Sequence, residues 1–140
     1  MSAQSPKPPP RLLWFRRDLR LADLPALAEA GADGAEVLAC YVLDPRLAGA
    51  GERRLQFLYD SLRELSAALD GRLLVTRGRP ETRIPNLVKQ IGASSVHVSA
   101  EFTPFGVRRD TAVRAALGDV ELVETGSPYL VSPGRVTKSD

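Results

Sequence analysis

The chain has 140 residues, of which 44% are hydrophobic and 26% charged, with a formal net charge of +2. That is enough for one cored domain and too little for two, and the proportions are those of an ordinary globular protein. The charge is too small to argue for nucleic acid, no stretch approaches the ~18 apolar residues of a membrane span, and the lone Cys40 excludes an internal disulfide.

Residues 1–10 are polar and proline-rich, with no apolar secretory segment, and read as a disordered tail. Leu12-Leu13-Trp14-Phe15 is a short apolar run between polar flanks, the pattern of a buried parallel strand. Arg16-Arg17-Asp18 lies where that strand leaves the sheet. Asp23 is the expected cap of a helix through Leu24 to Ala30, which Gly31 ends. Glu36 to Leu43 reads as a second strand stopped by Asp44-Pro45, and residues 46–51 as a mobile connection. From Glu52 to Leu69, apolar side chains at Leu55, Leu58, Tyr59, Leu62, Leu65 and Leu69 make a helical stripe.

Arg72 to Thr76 reads as a third strand. A helix then runs from about Thr82, as N-cap, to Ile91, with Pro85 in its first turn, where a missing N–H costs little. Ser95 to Ser99 is a fourth strand, Glu101 to Gly106 a loop, Val107 to Leu117 a helix and Val120 to Val123 a fifth strand. Cys40 falls in the second strand as a small buried hydrophobe, which fits a reducing, cytoplasmic location. His97, the only histidine, has no Cys/His partners and reads as structural. Trp14, the only tryptophan, reads as core rather than as an electron carrier.

Strand and helix alternate five times through connections too long for hairpins. The predicted fold is therefore α/β: one doubly wound, five-stranded parallel sheet of strand order 3-2-1-4-5, Rossmann-like. That order puts the topological switch point between the first and fourth strands, where ligands gather outside the carboxyl ends. The loops Arg16–Asp23 and Glu101–Gly106 should share that crevice. Neither carries a glycine-rich phosphate loop, so a glycine cradle for a dinucleotide is unsupported. Arginine, aromatic and carboxylate groups there suit a planar heterocycle or a ribityl chain, or else only pack and brace the loops.

Four blocks carry a resemblance. Trp14-Phe15-Arg16-Arg17-Asp18-Leu19-Arg20-Leu21 precedes Asp23 and Pro25-Ala26-Leu27. The others are Tyr41-Val42-Leu43-Asp44-Pro45, then Arg54-Leu55-Gln56-Phe57-Leu58 with Ser61-Leu62, and Phe102-Thr103-Pro104-Phe105-Gly106 with Arg108-Arg109-Asp110. In this order they resemble the α/β domain of the DNA photolyase and cryptochrome family over residues 11–130.

The resemblance implies an antenna-chromophore domain over 11–130, with 131–140 as a tail or linker toward a helical domain absent from this chain. In the family that domain holds flavin adenine dinucleotide and repairs pyrimidine dimers by light-driven electron transfer, a carbon–carbon lyase reaction. This chain alone is expected to be inactive, to meet DNA only through the helical domain, and to have no membrane partner. The face which that domain would cover is open to self-association.

The implied chromophore-binding residues are Arg17, Asp18, Tyr41, Arg54, Glu101, Phe102, Thr103, Phe105 and Arg109, with no catalytic or metal-binding residue. Phe105 and Gly106 stand where folate-binding members carry Asn-Glu, so 8-hydroxy-5-deazaflavin or riboflavin phosphate (FMN) is favoured over methenyltetrahydrofolate. Ala22 and Leu24 replace polar residues of the family opening. The alternative function is a stand-alone nucleotide- or flavin-binding module of the universal-stress or electron-transfer-flavoprotein type.

Overall fold

The structure, a computed structural model, describes residues 6–126. Five parallel strands make one sheet in the order β3-β2-β1-β4-β5: β1 Arg11–Phe15, β2 Val37–Leu43, β3 Leu73–Arg77, β4 Ser95–Val98 and β5 Glu121–Glu124. The predicted topology is the observed one. In register, Leu13 of β1 lies between Ala39 of β2 and His97 of β4.

Alternation along β1 explains why it is apolar at every position. Leu12 and Trp14 face one side, where they pack with Ile84, Val88, Val113 and Leu117 from helices α3 (Pro80–Ile91) and α4 (Pro104–Leu117). Leu13 and Phe15 face the other side, against Leu24, Ala26, Leu62 and Leu65. Those residues come from α1 (Pro25–Ala30), its preceding residue, and α2 (Glu52–Ala68). A strand buried on both faces has no polar face to show. Of the predicted α2 stripe, Leu62 and Leu65 are buried, and Leu58 and Leu69 pack more loosely.

Several helix starts differ from the sequence reading, and proline accounts for two of them. Helix α3 begins at Pro80, with Arg79 as N-cap, rather than at Thr82. Pro80 takes the first-turn place that suits proline, which leaves Pro85 in the helix interior. Helix α4 begins at Pro104 instead of Val107, because Thr103 caps it by accepting the Gly106 amide at 3.1 Å. Phe105 and Gly106 are thus helical, and the first turn fixes the direction of the Phe105 side chain.

Asp23 does not cap α1: it sits at φ 52°, and Leu24 is the N-cap without a side-chain bond. The connection expected to be mobile after β2 contains a 3₁₀ turn, Pro45–Gly49. Within the expected leading tail, the Pro10 carbonyl accepts the Ser94 amide at 3.0 Å and Lys7 pairs with Glu36 at 2.7 Å. Residues 1–5 and the expected tail or linker at 131–140 lie outside the described residues.

His97 and Cys40 have structural positions. Cys40 is fully buried, and burial pushes its thiol up to about 12. His97 is 4% exposed, shares a 2.8 Å hydrogen bond between Nε2 and Ser95 Oγ, and leaves Nδ1 without a partner among the described residues.

Candidate chromophore pocket

The carboxyl ends of β1, β2 and β4 open into a pocket of about 310 Å³, at the low end of the ~300–1,000 Å³ typical of small-molecule sites. Its aromatic lining is Trp14, Phe15, Tyr41 and Phe105. Its charged lining is Arg16, Arg17, Arg109, Asp44 and Glu101. The topology dictates this place: β1 and β4 are neighbours whose following connections run to helices on opposite faces, so the loops part and leave a crevice.

The floor of the site is a buried ion-pair network. Arg16 forms a short hydrogen-bonded pair with Asp110 and also donates to the Ser99 carbonyl. Arg109 donates to Asp110 at 3.0 Å and to Glu101 at 2.9 Å. Burial pushes the Arg16 guanidinium below its ordinary value, against the upward pull of Asp110. An arginine remains charged nonetheless. Among the described residues, Arg16 Nε and Asp110 Oδ2 are buried without a hydrogen-bond partner.

Both guanidinium groups also lie over the indole, with Arg16 Cζ 4.8 Å and Arg109 Cζ 5.2 Å from the Trp14 ring centre. At the rim, Arg46 takes Asp44 in a fork at 2.9 and 2.6 Å, and its Cζ lies 5.1 Å from the Phe105 ring centre. Burial raises the Asp44 carboxyl, but the Arg46 hydrogen bonds outweigh that and hold it below its usual range.

Glu101 is positioned from two directions. Arg109 binds one oxygen, while the other lies 4.0 Å from Arg17 Nε. The carboxylate stands against Gly106 in the first turn of α4, where the helix dipole favours negative charge. A Cβ on Gly106 would collide with Glu101 Oε2 and come within 2.9 Å of Thr103 Oγ1. Tyr41, 6% exposed, has its phenol raised by burial, with Arg109 opposing. Its hydroxyl makes no hydrogen bond among the described residues and remains available to a ligand.

Six of the nine sequence-predicted residues line this pocket: Arg17, Tyr41, Glu101, Thr103, Phe105 and Arg109. Asp18 sits just outside, where it accepts the Arg16 amide at 3.3 Å and the Ser99 hydroxyl, tying the first loop to the end of β4. Phe102 is 42% exposed beyond the lining. Arg54 is exposed at the start of α2, and its neighbour Leu55 borders a separate apolar cleft of about 470 Å³. The sequence reading missed Asp110, Asp44 and Arg46, and took Trp14 as core alone. The adjacency of Asp110 to Arg109 was a visible signal, but its partner Arg16 is ninety-four residues away.

Residues 11–140 match the DNA photolyase family. The chain belongs to that family. It is 35% identical over 135 residues to a deoxyribodipyrimidine photo-lyase of Synechococcus, a match covering 91% of this chain and 28% of the relative. It superposes on a bacterial class III photolyase from Agrobacterium tumefaciens with a TM-score of 0.86 and 30% identity, covering 97% of this chain and 29% of the other.

It also resembles an archaeal photolyase from Sulfolobus tokodaii, crystallised with two FAD molecules, at a TM-score of 0.72 and 28% identity. That match covers 81% of this chain and 29% of the other. The chain thus spans under a third of the length of these photolyases. Cryptochromes match as well. The universal-stress and electron-transfer-flavoprotein alternative is not favoured.

Proposed function

We propose that this photolyase domain binds a light-harvesting chromophore, a deazaflavin or an oxidised flavin, in the pocket at the ends of β1, β2 and β4. One observation carries the reading: a pocket of about 310 Å³ joins four aromatic residues to a lining of arginines and carboxylates. Flat apolar walls suit a tricyclic ring. Glu101, Arg17 and Arg109 supply acceptor and donor groups for its polar edge, and the Tyr41 hydroxyl adds a donor. Helical Phe105 and Gly106 offer no amide and no carboxylate side chain for a pterin, which supports a flavin-like ligand over methenyltetrahydrofolate.

The Sulfolobus photolyase, crystallised with two FAD molecules that imply a novel light-harvesting cofactor, supports the same class of ligand. Such a group would absorb light. The chain's own residues bind it, orient its ring edge and shield one face from water. Asp18 and Phe102 act from just outside the lining, Asp18 by bracing the first loop. Arg54, implied by family resemblance, stands outside this lining at the exposed start of α2, and no role in holding the ligand is assigned to it.

Repair of pyrimidine dimers, FAD binding and contact with DNA are assigned to a helical domain of the longer relatives. Self-association would use the surface which that domain covers, and a cytoplasmic location fits the whole. No helix among the described residues is long and apolar enough to cross a membrane.

The test is a titration of the folded chain with 8-hydroxy-5-deazaflavin, riboflavin phosphate and methenyltetrahydrofolate, followed through ligand emission. Saturable binding of either of the first two, with the folate far weaker, is the expected result. Preference for the folate would overturn the assignment.

A further inference from the structure

We infer that the two guanidinium groups over the Trp14 ring keep this indole from quenching the excited state of a chromophore bound in the pocket. The inference rests on the chromophore reading above. Trp14 lines the pocket although only 2% exposed, so a planar ligand there lies within short electron-transfer reach of the indole ring. An excited oxidised flavin is a strong one-electron oxidant, and indole is among the most readily oxidised side chains. Transfer would move one electron from the Trp14 ring to the excited flavin, leaving an indole radical cation and a flavin radical anion. The electron then returns, no bond is made or broken, and the absorbed energy is lost as heat. A light-harvesting group needs the opposite, an excited state that survives long enough to pass its energy on.

Two cations oppose that loss. Arg16 Cζ and Arg109 Cζ lie 4.8 and 5.2 Å from the Trp14 ring centre. The ground-state ring attracts them through its electron-rich face. A ring that has lost an electron repels both, and at such separations in a partly dry pocket the repulsion is substantial. Neither cation is free to swing away. Arg16 is buried and tied to Asp110 and the Ser99 carbonyl. Arg109 is tied to Asp110 at 3.0 Å and to Glu101 at 2.9 Å. The two carboxylates offset part of the field, and removing the charge of one arginine tips the balance toward them.

Of the other aromatic residues of the lining, Phe15 and Phe105 are hard to oxidise. Tyr41 must lose a proton when oxidised, and among the described residues no protein base is hydrogen-bonded to take it; a Tyr41→Phe variant run beside the others reads what proton transfer to a bound ligand would add. Trp14, which needs no proton acceptor, is therefore the main side chain from which quenching must be prevented. Asp110 acts here as a positioning residue, because it holds both guanidinium groups in place.

The experiment loads the full chain with riboflavin phosphate, measures occupancy by equilibrium dialysis, and then records the emission lifetime of the bound flavin. The proteins are the wild type, Trp14→Phe, Arg109→Gln, Arg109→Lys and the Trp14→Phe/Arg109→Gln double variant. Because electron-transfer rates respond exponentially to energy, Arg109→Gln should shorten the lifetime at least about threefold. Transient absorption should show the indole radical in that variant. Arg109→Lys should restore most of the lifetime, and the double variant all of it. Wild type and Trp14→Phe should agree within about twofold.

A much longer lifetime in Trp14→Phe than in the wild type would overturn the inference, as would an unchanged lifetime in occupied Arg109→Gln. Absence of binding in the dialysis would instead overturn the chromophore reading, and this inference with it.

Discussion

Arg16, at the carboxyl end of β1, is held by Asp110 on the buried face of α4, ninety-four residues further along the chain. Both side chains are almost fully buried, at 5% and 3% exposure. Two desolvated charges are stable together and costly apart. The pair thus pins α4 to the end of β1, and with it Glu101, Phe105 and Arg109, all of which line the pocket.

Asp110→Asn keeps the shape but removes the charge. It should destabilise the chain by roughly 3–5 kcal/mol, the usual cost of stranding a buried partner. Urea unfolding of single and double variants checks this. The Arg16→Met/Asp110→Leu pair should recover much of the loss, because an apolar pair strands no charge. A cost below about 0.5 kcal/mol for Asp110→Asn would be that of an ordinary surface change, and would mean that the pair does not hold α4.

Gly106→Ala separates stability from binding. Alanine favours a helix over glycine by about 1 kcal/mol, yet its Cβ would collide with Glu101 Oε2. The Glu101 carboxylate must move, breaking its alignment with Arg109. We expect a stability change within about 1 kcal/mol and roughly tenfold weaker binding, as for one lost charge-assisted hydrogen bond. Isothermal titration beside thermal melting reads both quantities. Unchanged affinity would remove Glu101 from the site.

His97 sets a pH dependence. Burial holds its pKa below the ordinary 6.5, with Arg11 adding to the effect and Glu29 and Glu121 opposing it. The unfolded chain therefore takes up a proton before the folded one. Stability is complete above about 6.5 and falls as pH drops from there toward the lower folded value, by up to about 1.4 kcal/mol per pH unit. The lowered carboxyls Asp33, Glu36 and Asp44 start from 3.8, 4.5 and 3.8 and titrate below this window. Urea midpoints at about pH 7.5 and 5.5 should differ for wild type and coincide for His97→Gln. Equal slopes in both proteins would assign the effect to other groups.

Arg54→Ala serves as a control on the exposed start of α2. We expect stability within about 0.5 kcal/mol of wild type and an affinity for riboflavin phosphate that does not change. A loss of binding comparable to that of Arg109→Gln would bring the α2 terminus into the site.

The strands were legible because each is short, apolar and bounded by glycine, proline or charge, and the alternation of strand and helix constrains their order. Helix starts were less so. Thr82 and Val107 look like starting points only when Pro80 and Pro104 are read as loop residues; as first-turn prolines they begin the helices themselves. The pocket's position followed from the topology, and most of its lining from the loops that end β1 and β4.

What sequence could not supply was pairing across distance. Nothing local in Arg16 says that its partner is Asp110, or in Arg46 that it covers Phe105. Trp14 was correctly read as buried, 2% exposed, but a buried strand residue at the carboxyl end can be core and pocket wall at once.

Trp14, the only tryptophan of the chain, lines the proposed site and so reports on it directly. Titrating the wild-type chain with 8-hydroxy-5-deazaflavin while exciting the indole is the most direct measurement. The account predicts saturable loss of Trp14 emission with matching gain of ligand emission at one equivalent, weakened in Arg109→Gln. Trp14 emission indifferent to the ligand, with the chain shown folded, would contradict it.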